Sequence, residues 1–230
     1  MNQSPFPSEV QIERPELIEL VLGDIGLAVP PRTGPVRRTS DHRDWWLLRR
    51  WLKSLAYKNL LQFPLKIERP TGPGGPDFIY RTVDREPIGL EMTEAGPQED
   101  QAERTKFARS KLKVSHYGDF GGRSYESETD SELQTEYISF IMDAVQRKLA
   151  KAKLYLERCS QLELMIYVNN NVGIWVSLFD VSSELQSSIT STIQRHQLAG
   201  QLSEICILDH KEMLLISDGK VQKLEAMFEG

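Results

Sequence analysis

The chain has 230 residues, of which 40% are apolar and 27% are charged, with a net charge of −5 and a sequence pI near 5.5. This length suits one well-buried α/β domain with appendages, or two small domains. The acidic balance excludes a protein that coats nucleic acid through an overall basic surface. The longest apolar runs, 162–168 and 174–179, are too short to cross a bilayer.

Metal binding through cysteine or histidine is not expected. The first residues also lack the basic start and apolar segment of a secretory signal, so we expect a cytoplasmic protein with reduced thiols. The two cysteines have no metal-ligand spacing, and no two histidines have the spacing of ligands on one helix, so the sequence predicts no zinc site. These residues are Cys159, Cys206, His42, His116, His196 and His210.

Residues 1–40 are rich in proline and contain one predicted helical piece, 15–22. We interpret 1–40 as an N-terminal arm and place the start of the compact domain, 41–230, near Ser40. The arm is predicted either to be a loosely ordered tail or to mediate a homodimer or a protein partnership.

A helix is predicted to begin at Ser40 or Asp41, because apolar side chains then recur at helical spacing. This stripe consists of Trp45, Leu48, Leu52 and Leu55. Trp46 and Trp51 fall outside it and are predicted to cover a neighbouring element such as the arm. Tryptophans in such a helix are more often buried than available for base stacking.

Three short strands are predicted next, over 63–68, 77–82 and 87–93. A Gly/Pro turn at 70–76 leaves Asp77 at the start of the second strand. If the strands of Asp77 and Glu91 pair as a hairpin, their carboxylates reach one spot. Two oxygen donors on rigid strands suit a hard divalent ion such as Mg2+.

Glu91 lies in an otherwise apolar run, 88–93, in which side chains alternate between the two faces of a strand. Glu91 and Thr93 therefore point to one face, and Met92 and Glu94 to the other. Burying a lone carboxylate is costly, so the run predicts a cation or a metal ion beside Glu91. The alternatives are that Asp77 caps the turn and that Glu91 is exposed. Glu68, at the end of the first strand, is a lesser candidate for a third acid.

A polar helix is predicted over 98–114, where Lys106 or Arg109 could face the site opened by Glu91. A flexible insertion is predicted at about 115–131. The segment 132–158 has the periodicity of one long helix, and Lys148 borders its apolar stripe. Lys148 either lies close to the sheet or keeps its amine in water while its methylenes cover apolar surface.

The remaining segments predict an α/β arrangement. Residues 162–168 are apolar on both faces apart from Glu163, as in a central strand covered by helices. A helix is predicted to end before Gly200. The predicted elements after 162–168 are strand 173–179, helix 183–198 and strands 204–208 and 213–217.

Pro76-Asp77, a strand-length gap and Glu91-Met92-Thr93 together resemble the signature of the PD-(D/E)XK nuclease superfamily. That signature is Pro-Asp, a spacer, an acid, any residue and a lysine. Thr93 stands where the family usually has its lysine, and a threonine can hydrogen-bond a water but carries no positive charge. The predicted order of elements over 41–217 also resembles that of the family. The resemblance implies an α/β fold with a restriction-endonuclease-like three-layer core, in which helices flank a central mixed sheet.

The resemblance further implies an active site. Asp77, Glu91 and the backbone carbonyl of Met92 would hold Mg2+ or Mn2+, and Thr93 or a basic residue from a neighbouring helix would position the attacking water. The basic candidates are Lys106, Arg109 and Lys148.

The favoured hypothesis is a metal-dependent nuclease that acts on DNA or RNA, with DNA the preferred partner. The alternative is a nuclease fold that has lost catalysis and binds nucleic acid or a protein, which Thr93 and the acidic balance favour. An α/β enzyme acting on a small substrate has no support, because the sequence lacks a phosphate-binding glycine loop, a nucleophile elbow and a Cys/His pair.

Overall fold

The computed structural model describes residues 6–23, 40–72, 74–96, 129–168, 176–209 and 212–225. In these residues, eight strands form one open sheet in which every strand neighbours the next along the chain. The strands are β1 (Glu9–Ile12), β2 (Leu65–Glu68), β3 (Phe78–Arg81), β4 (Ile88–Ala95), β5 (Gln161–Val168), β6 (Leu202–Leu208), β7 (Glu212–Ser217) and β8 (Lys220–Glu225). The helices are α1 (Ile18–Gly23), α2 (Ser40–Tyr57), α3 (Asp130–Leu149), α4 (Ala152–Tyr155) and α5 (Ser182–His196).

The sheet is mixed. Strands β1 to β4 are antiparallel to their neighbours, β4, β5 and β6 are parallel, and β6 to β8 are again antiparallel. Parallel neighbours need crossover connections. The segments containing α3, α4 and α5 make these crossovers, so the predicted α/β class is confirmed.

Helices cover both faces of the sheet. The first face packs against α1 and α2, and the second packs against α3, α4 and α5. Along β5, Met165 and Tyr167 join the first core while Leu164 and Ile166 join the second. This strand is therefore buried on both sides, as its continuous apolar run predicted. None of the helices in the described ranges has both the length and the apolar character needed to cross a membrane.

The compact fold includes residues 6–23, although the sequence interpretation placed its start near Ser40. Strand β1 pairs with β2 at the edge of the sheet, with Val10 opposite Ile67. Ile12 and Leu22 are fully buried in the first core. The reason is a short alternation of polar and apolar side chains at 9–12, which is long enough for an edge strand. Residues 24–39 lie outside the described ranges, and a partner for the arm stays a prediction.

Helix α2 buries more of its surface than the predicted stripe. The stripe residues are buried as expected, and so are Trp46 and Trp51. Trp46 meets the ring of Tyr167 edge-on at 5.4 Å, and Trp51 meets that of Tyr80 at 5.5 Å. These tryptophans cover a neighbouring element, as predicted, and that element is the sheet rather than the arm given as an example.

The predicted helix 132–158 is two helices, since α3 ends at Leu149 and α4 begins at Ala152. Both of these residues are buried, so the apolar periodicity continues across the break and concealed it. Thr129 caps α3 in a reciprocal box with Glu132. Residues 129–131 thus start a helix instead of ending the predicted insertion. The remainder of that insertion, and the predicted helix 98–114, lie outside the described residues.

Two predictions near the C-terminus are corrected. Residues 176–179, the described part of the predicted strand 173–179, form no strand. Val176 and Leu178 are buried, but they belong to a bend and a turn that lead into α5. Residues 169–175 lie outside the described ranges. Strand β8 was not predicted, because its pattern is mostly polar and Leu224 is its buried residue. Helix α5 ends at His196, two residues before the predicted end, with Gln197 in the left-handed conformation.

Candidate active site

The Gly/Pro turn predicted before Asp77 is held against the end of α4. Gly72 and Gly74 have φ of +88° and +85°, which glycine adopts without strain. The Arg158 guanidinium donates to the carbonyl of Thr71 at 3.1 Å. These contacts position the chain that enters β3 at Asp77.

Close packing behind β4 also positions Asp77. A Cβ added at Gly89 would lie 2.6 Å from Cys159 Sγ and 3.1 Å from Pro76 Cγ. Such distances leave no room for a side chain. Gly89 therefore allows β4 to approach Pro76, the residue before Asp77.

Asp77 and Glu91 are brought together, as the hairpin hypothesis required. Phe78 pairs with Leu90 in the antiparallel β3–β4 ladder, which places the two acids side by side. The Asp77 N–H donates to Glu91 Oε2 at 3.0 Å, and the Met92 N–H donates to Asp77 Oδ2 at 2.8 Å. Each carboxylate is thus bound by backbone of the other's strand, which holds both in fixed positions.

Glu91 is buried, with 3% of its surface exposed, and the cation beside it is Lys148. The Lys148 ammonium on α3 donates to Glu91 Oε1. The Tyr155 hydroxyl on α4 donates to the same oxygen at 3.0 Å. Burial, followed by the charge of Glu91, raises the pKa of Tyr155, so the phenol keeps its proton. The break between α3 and α4 lies between these two donors.

Asp77 has a different environment. Burial and the neighbouring Glu91 raise its pKa, while Lys148, the Met92 N–H and Arg43 act in the opposite direction. Within the described ranges, Asp77 Oδ2 has a hydrogen-bond donor and Oδ1 has none. Asp77 therefore presents one free carboxylate oxygen beside Glu91.

The other predicted site residues divide into three groups. Thr93 is buried on the same face of β4 as Glu91. Glu68 lies two strands from β4 and pairs with Lys66 at 3.1 Å, so the structure does not bring it to the acid pair. Lys106 and Arg109 lie outside the described residues.

Sequence reasoning missed a set of charged residues at the start of α2. Asp44 Oδ1 accepts from Arg43 Nε at 2.9 Å and Nη2 at 2.8 Å, and its Oδ2 accepts from Arg69 Nη2 at 3.1 Å. The rings of Trp45 and Phe78 meet at 4.9 Å, so this part of α2 lies over the start of β3. Burial, followed by the charge of Asp77, raises the pKa of Asp44 to about 6.

Tyr155 was also missed, although a signal for it existed. It follows Lys148 by seven residues, about two helical turns, so a continuous helix would place both on one face. No comparable signal marks Arg43, because its position depends on how α2 crosses the sheet.

The acid pair fits a hard divalent ion. No group of three or more His, Cys, Asp or Glu side chains in the described part of the chain could hold a metal. Mg2+, however, keeps most of its waters and takes one or two protein carboxylates. Among the residues that the structure describes, Asp77 Oδ1 has no hydrogen bond, and Glu91 Oε2 accepts a single one from the Asp77 N–H. These two oxygens, and not the Lys148-bound Oε1, are the available donors.

Comparisons with protein-family models, with curated proteins and with solved structures find no match to this chain.

Proposed function

We propose that this protein is a metal-dependent nuclease that hydrolyses phosphodiester bonds of DNA or RNA, with DNA the preferred substrate. The observation that carries the proposal is the interlocked pair of half-buried Asp77 and buried Glu91, with Lys148 bonded to Glu91. Mg2+ or Mn2+ would be held by these two carboxylates and the backbone carbonyl of Met92.

A purely structural role explains this pair poorly. Two adjacent carboxylates repel each other and lose their hydration when buried. Lys148 carries one positive charge, which offsets the negative charge of Glu91 but not that of Asp77 as well. Perturbed acids of this kind concentrate at functional sites, because binding a cation there recovers the unfavourable energy. A bound cation would interact most favourably with Asp77 Oδ1, which accepts no hydrogen bond within the described ranges.

The residues have separate roles in this proposal. When bound, the metal ion lowers the pKa of a water and stabilises charge on the phosphate. Tyr155 keeps Glu91 oriented through its hydrogen bond. Lys148 supplies the positive charge that Thr93 lacks and holds the attacking water or a phosphate oxygen. The Thr93 hydroxyl adds a hydrogen bond to that water.

A second candidate function is a catalytically inactive nuclease fold that binds nucleic acid or a protein. One observation favours it: Lys148 and Tyr155 already satisfy Glu91 Oε1 without a metal ion. A carboxylate pair that the protein's own lysine already neutralises gains less from binding an external cation. In this alternative, Lys148 replaces the metal and the site is a remnant.

Cleavage assays distinguish the two functions. Labelled single- and double-stranded DNA and RNA are incubated with Mg2+ or Mn2+ and wild type, Asp77→Asn or Glu91→Gln. Glu184→Gln is the matched control, because it makes the same chemical change on the exposed surface of α5. A nuclease gives metal-dependent cleavage that both site variants lose and the control keeps.

The alternative gives a different result in the same experiment. Wild type would cut no substrate, and Mn2+ would not raise its unfolding temperature, because only a ligand bound by the folded state stabilises it. Equal cleavage by wild type, Asp77→Asn and Glu91→Gln would reject the site assignment.

A further inference from the structure

Arg43 lies in the helix layer that covers the start of β3, and its charge acts on Asp77. It lies in the first turn of α2, and this part of the helix covers the start of β3, where Asp77 is located. Its guanidinium donates twice, through Nε and Nη2, to Asp44 Oδ1. Asp44 thereby fixes the plane of the guanidinium, as a planar donor group allows.

Asp44 has a second cation in Arg69, which also forms an ion pair with Asp41 Oδ1 at 3.1 Å. Arg69 donates to Asp44 Oδ2 at 3.1 Å and lies over the ring of Phe78. Asp44 itself is almost fully buried, with its side chain 3% exposed. Asp44 therefore binds both arginines, while Asp41 shares the charge of Arg69, so Arg43 is oriented by Asp44.

Arg43 differs from Arg69 in the surroundings of the guanidinium N–H groups that do not bind Asp44. Arg69 Nη1 is buried and has no hydrogen-bond partner in the described part of the chain. The Arg43 side chain is 34% exposed, and its Nη1 donates to no acceptor within the described ranges. A guanidinium that is anchored through one edge and open on another is arranged to receive an external anion.

The charge of Arg43 acts on the acid pair. Burial alone would lower its pKa, but Asp44, Glu94 and Asp77 together raise it above the ordinary value. In return, Arg43 lowers the pKa of Asp77. Arg43 approaches from the α2 layer and Lys148 from the α3 layer, so cations flank the acids from both faces of the sheet.

We propose that Arg43, held in place by Asp44, binds a backbone phosphate of the nucleic acid next to the Asp77–Glu91 pair. This inference rests on the proposed nuclease function and names the residue that positions the substrate there. The acids would repel an incoming phosphate, and Arg43 offsets this repulsion where the metal ion does not reach. A planar guanidinium suits the task, because it can donate to Asp44 through one edge and to a phosphate through another.

The test compares Arg43→Gln and Arg43→Lys with wild type. Arg14→Gln is the control, because it removes the same charge from a side chain that is 70% exposed. Cleavage of a labelled DNA duplex in Mn2+ gives KM and kcat. Binding of the same duplex in Ca2+, measured by fluorescence anisotropy across salt concentrations, gives the number of phosphates contacted.

We expect Arg43→Gln to raise KM about tenfold, with a smaller change in kcat, because one charge-assisted contact to the substrate is lost. The slope of log Kd against log salt should fall by about 0.9, the value for one phosphate of a duplex. Arg43→Lys should keep most of the slope but still raise KM, since one ammonium cannot serve Asp44 and a phosphate in the geometry of a fork. Arg14→Gln should match wild type.

Each failure has a distinct signature. If wild type cleaves and Arg43→Gln keeps its KM and salt slope, the role of Arg43 is rejected and the proposed function stands. If wild type neither cleaves nor binds nucleic acid with a divalent ion, both are rejected. Thermal unfolding of each variant is recorded first. If Arg43→Gln is unfolded, Arg43→Lys decides, because it keeps a cation for Asp44, and a wild-type KM in that variant rejects the role.

Discussion

Two pairs of neighbouring acids lie in the same sheet, each with one buried and one half-buried member, and their surroundings differ. Asp77 and Glu91 join β3 to β4, where backbone N–H groups and Lys148 bind them. Glu163 and Glu204 are register partners on β5 and β6. Glu163 is bonded to the hydroxyls of Tyr80 and Ser203, and neither glutamate forms an ion pair with the residues that the structure describes.

The second pair is suited to hold protons at neutral pH. Burial and the neighbouring Glu204 raise the pKa of Glu163 to about 8, against the opposing effects of Tyr80, Ser203 and Arg85. Burial raises the pKa of Glu204 to about 7. Two neighbouring acids that are shielded from water and have no ion-pair partner among the described residues lower their energy by taking up protons.

The comparison shows that paired acids alone do not define a metal site. The first pair has a fixed cation and an oxygen without a hydrogen bond, so it is arranged to carry charge. In the second pair, the donors found among the described residues are hydroxyl groups, and the pair is arranged to be neutral. The identity of the donors around each pair, and not the acids themselves, makes this difference.

The largest expected difference between the pairs is in catalysis. Glu91→Gln removes a proposed metal ligand and should lower metal-dependent cleavage by more than about a hundredfold. Glu163→Gln resembles the protonated acid and should change cleavage less than about twofold. Single-turnover cleavage of labelled DNA in Mn2+ measures both. Equal losses in the two variants would contradict the separation of the pairs.

Removing the cation from the first pair should make it unstable. Lys148→Met leaves Glu91 buried without its ion-pair partner, and we expect a loss of about 3 kcal/mol in the free energy of unfolding. Arg147→Met, which removes the same charge from the exposed side of α3, should have little effect. Urea unfolding measures both variants.

The same Lys148→Met variant sharpens the choice of function. If the acids bind a metal ion, Mn2+ should stabilise Lys148→Met more than wild type, because the ion then supplies the missing positive charge. Equal urea midpoints with and without Mn2+ would favour the inactive binding module.

The second pair should make stability depend on pH. Both glutamates have a pKa above the ordinary 4.5 in the folded protein, so between these values the folded state binds more protons than the unfolded state. The free energy of unfolding should therefore fall as pH rises from about 5 to about 8, by on the order of 3 kcal/mol.

Glu163→Gln isolates this contribution. The amide does not titrate, so the difference in unfolding free energy between wild type and variant should change across that pH range and be constant above it. Urea unfolding at a series of pH values provides the data. A difference that is independent of pH would show that Glu163 is ionised in the folded protein throughout.

The smallest expected effect concerns the packing that positions the first pair. Gly89→Ala places a methyl group against Cys159 and Pro76, and we expect a loss of about 2 kcal/mol in the free energy of unfolding. Adding Cys159→Ala should recover part of it by removing the sulfur. Gly23→Ala is the control, because its Cβ would make an ordinary 3.5 Å contact. Urea unfolding of the three variants tests this, and no recovery in the double variant would place the strain at Pro76.

Local patterns predicted much of the frame. The Gly/Pro turn placed Asp77 at a strand start, and the two-residue period put Glu91 and Thr93 on one face. The uninterrupted apolar run predicted that β5 is central. These predictions succeeded because hydrogen-bonding geometry and side-chain alternation are properties of short segments.

Where prediction failed, two segments that are distant in the chain had to meet. Strand β1 lies within the predicted arm, because its four residues gain stability only by pairing with β2. The helix break before α4 was hidden because buried residues continue through it. The secondary-structure propensity of one segment carries no information on its contacts with a distant segment.

The sequence by itself determined which segments become strands or helices around Asp77 and Glu91, and that a cation had to lie near a buried Glu91. Only the tertiary structure decided that this cation is Lys148, that Tyr155 shares its oxygen, and that Arg43 stands on the opposite side. It also made partners of Glu163 and Glu204. The physical reason is that strand order and helix crossing bring these groups together, and the strength of an electrostatic contact depends on that distance and burial.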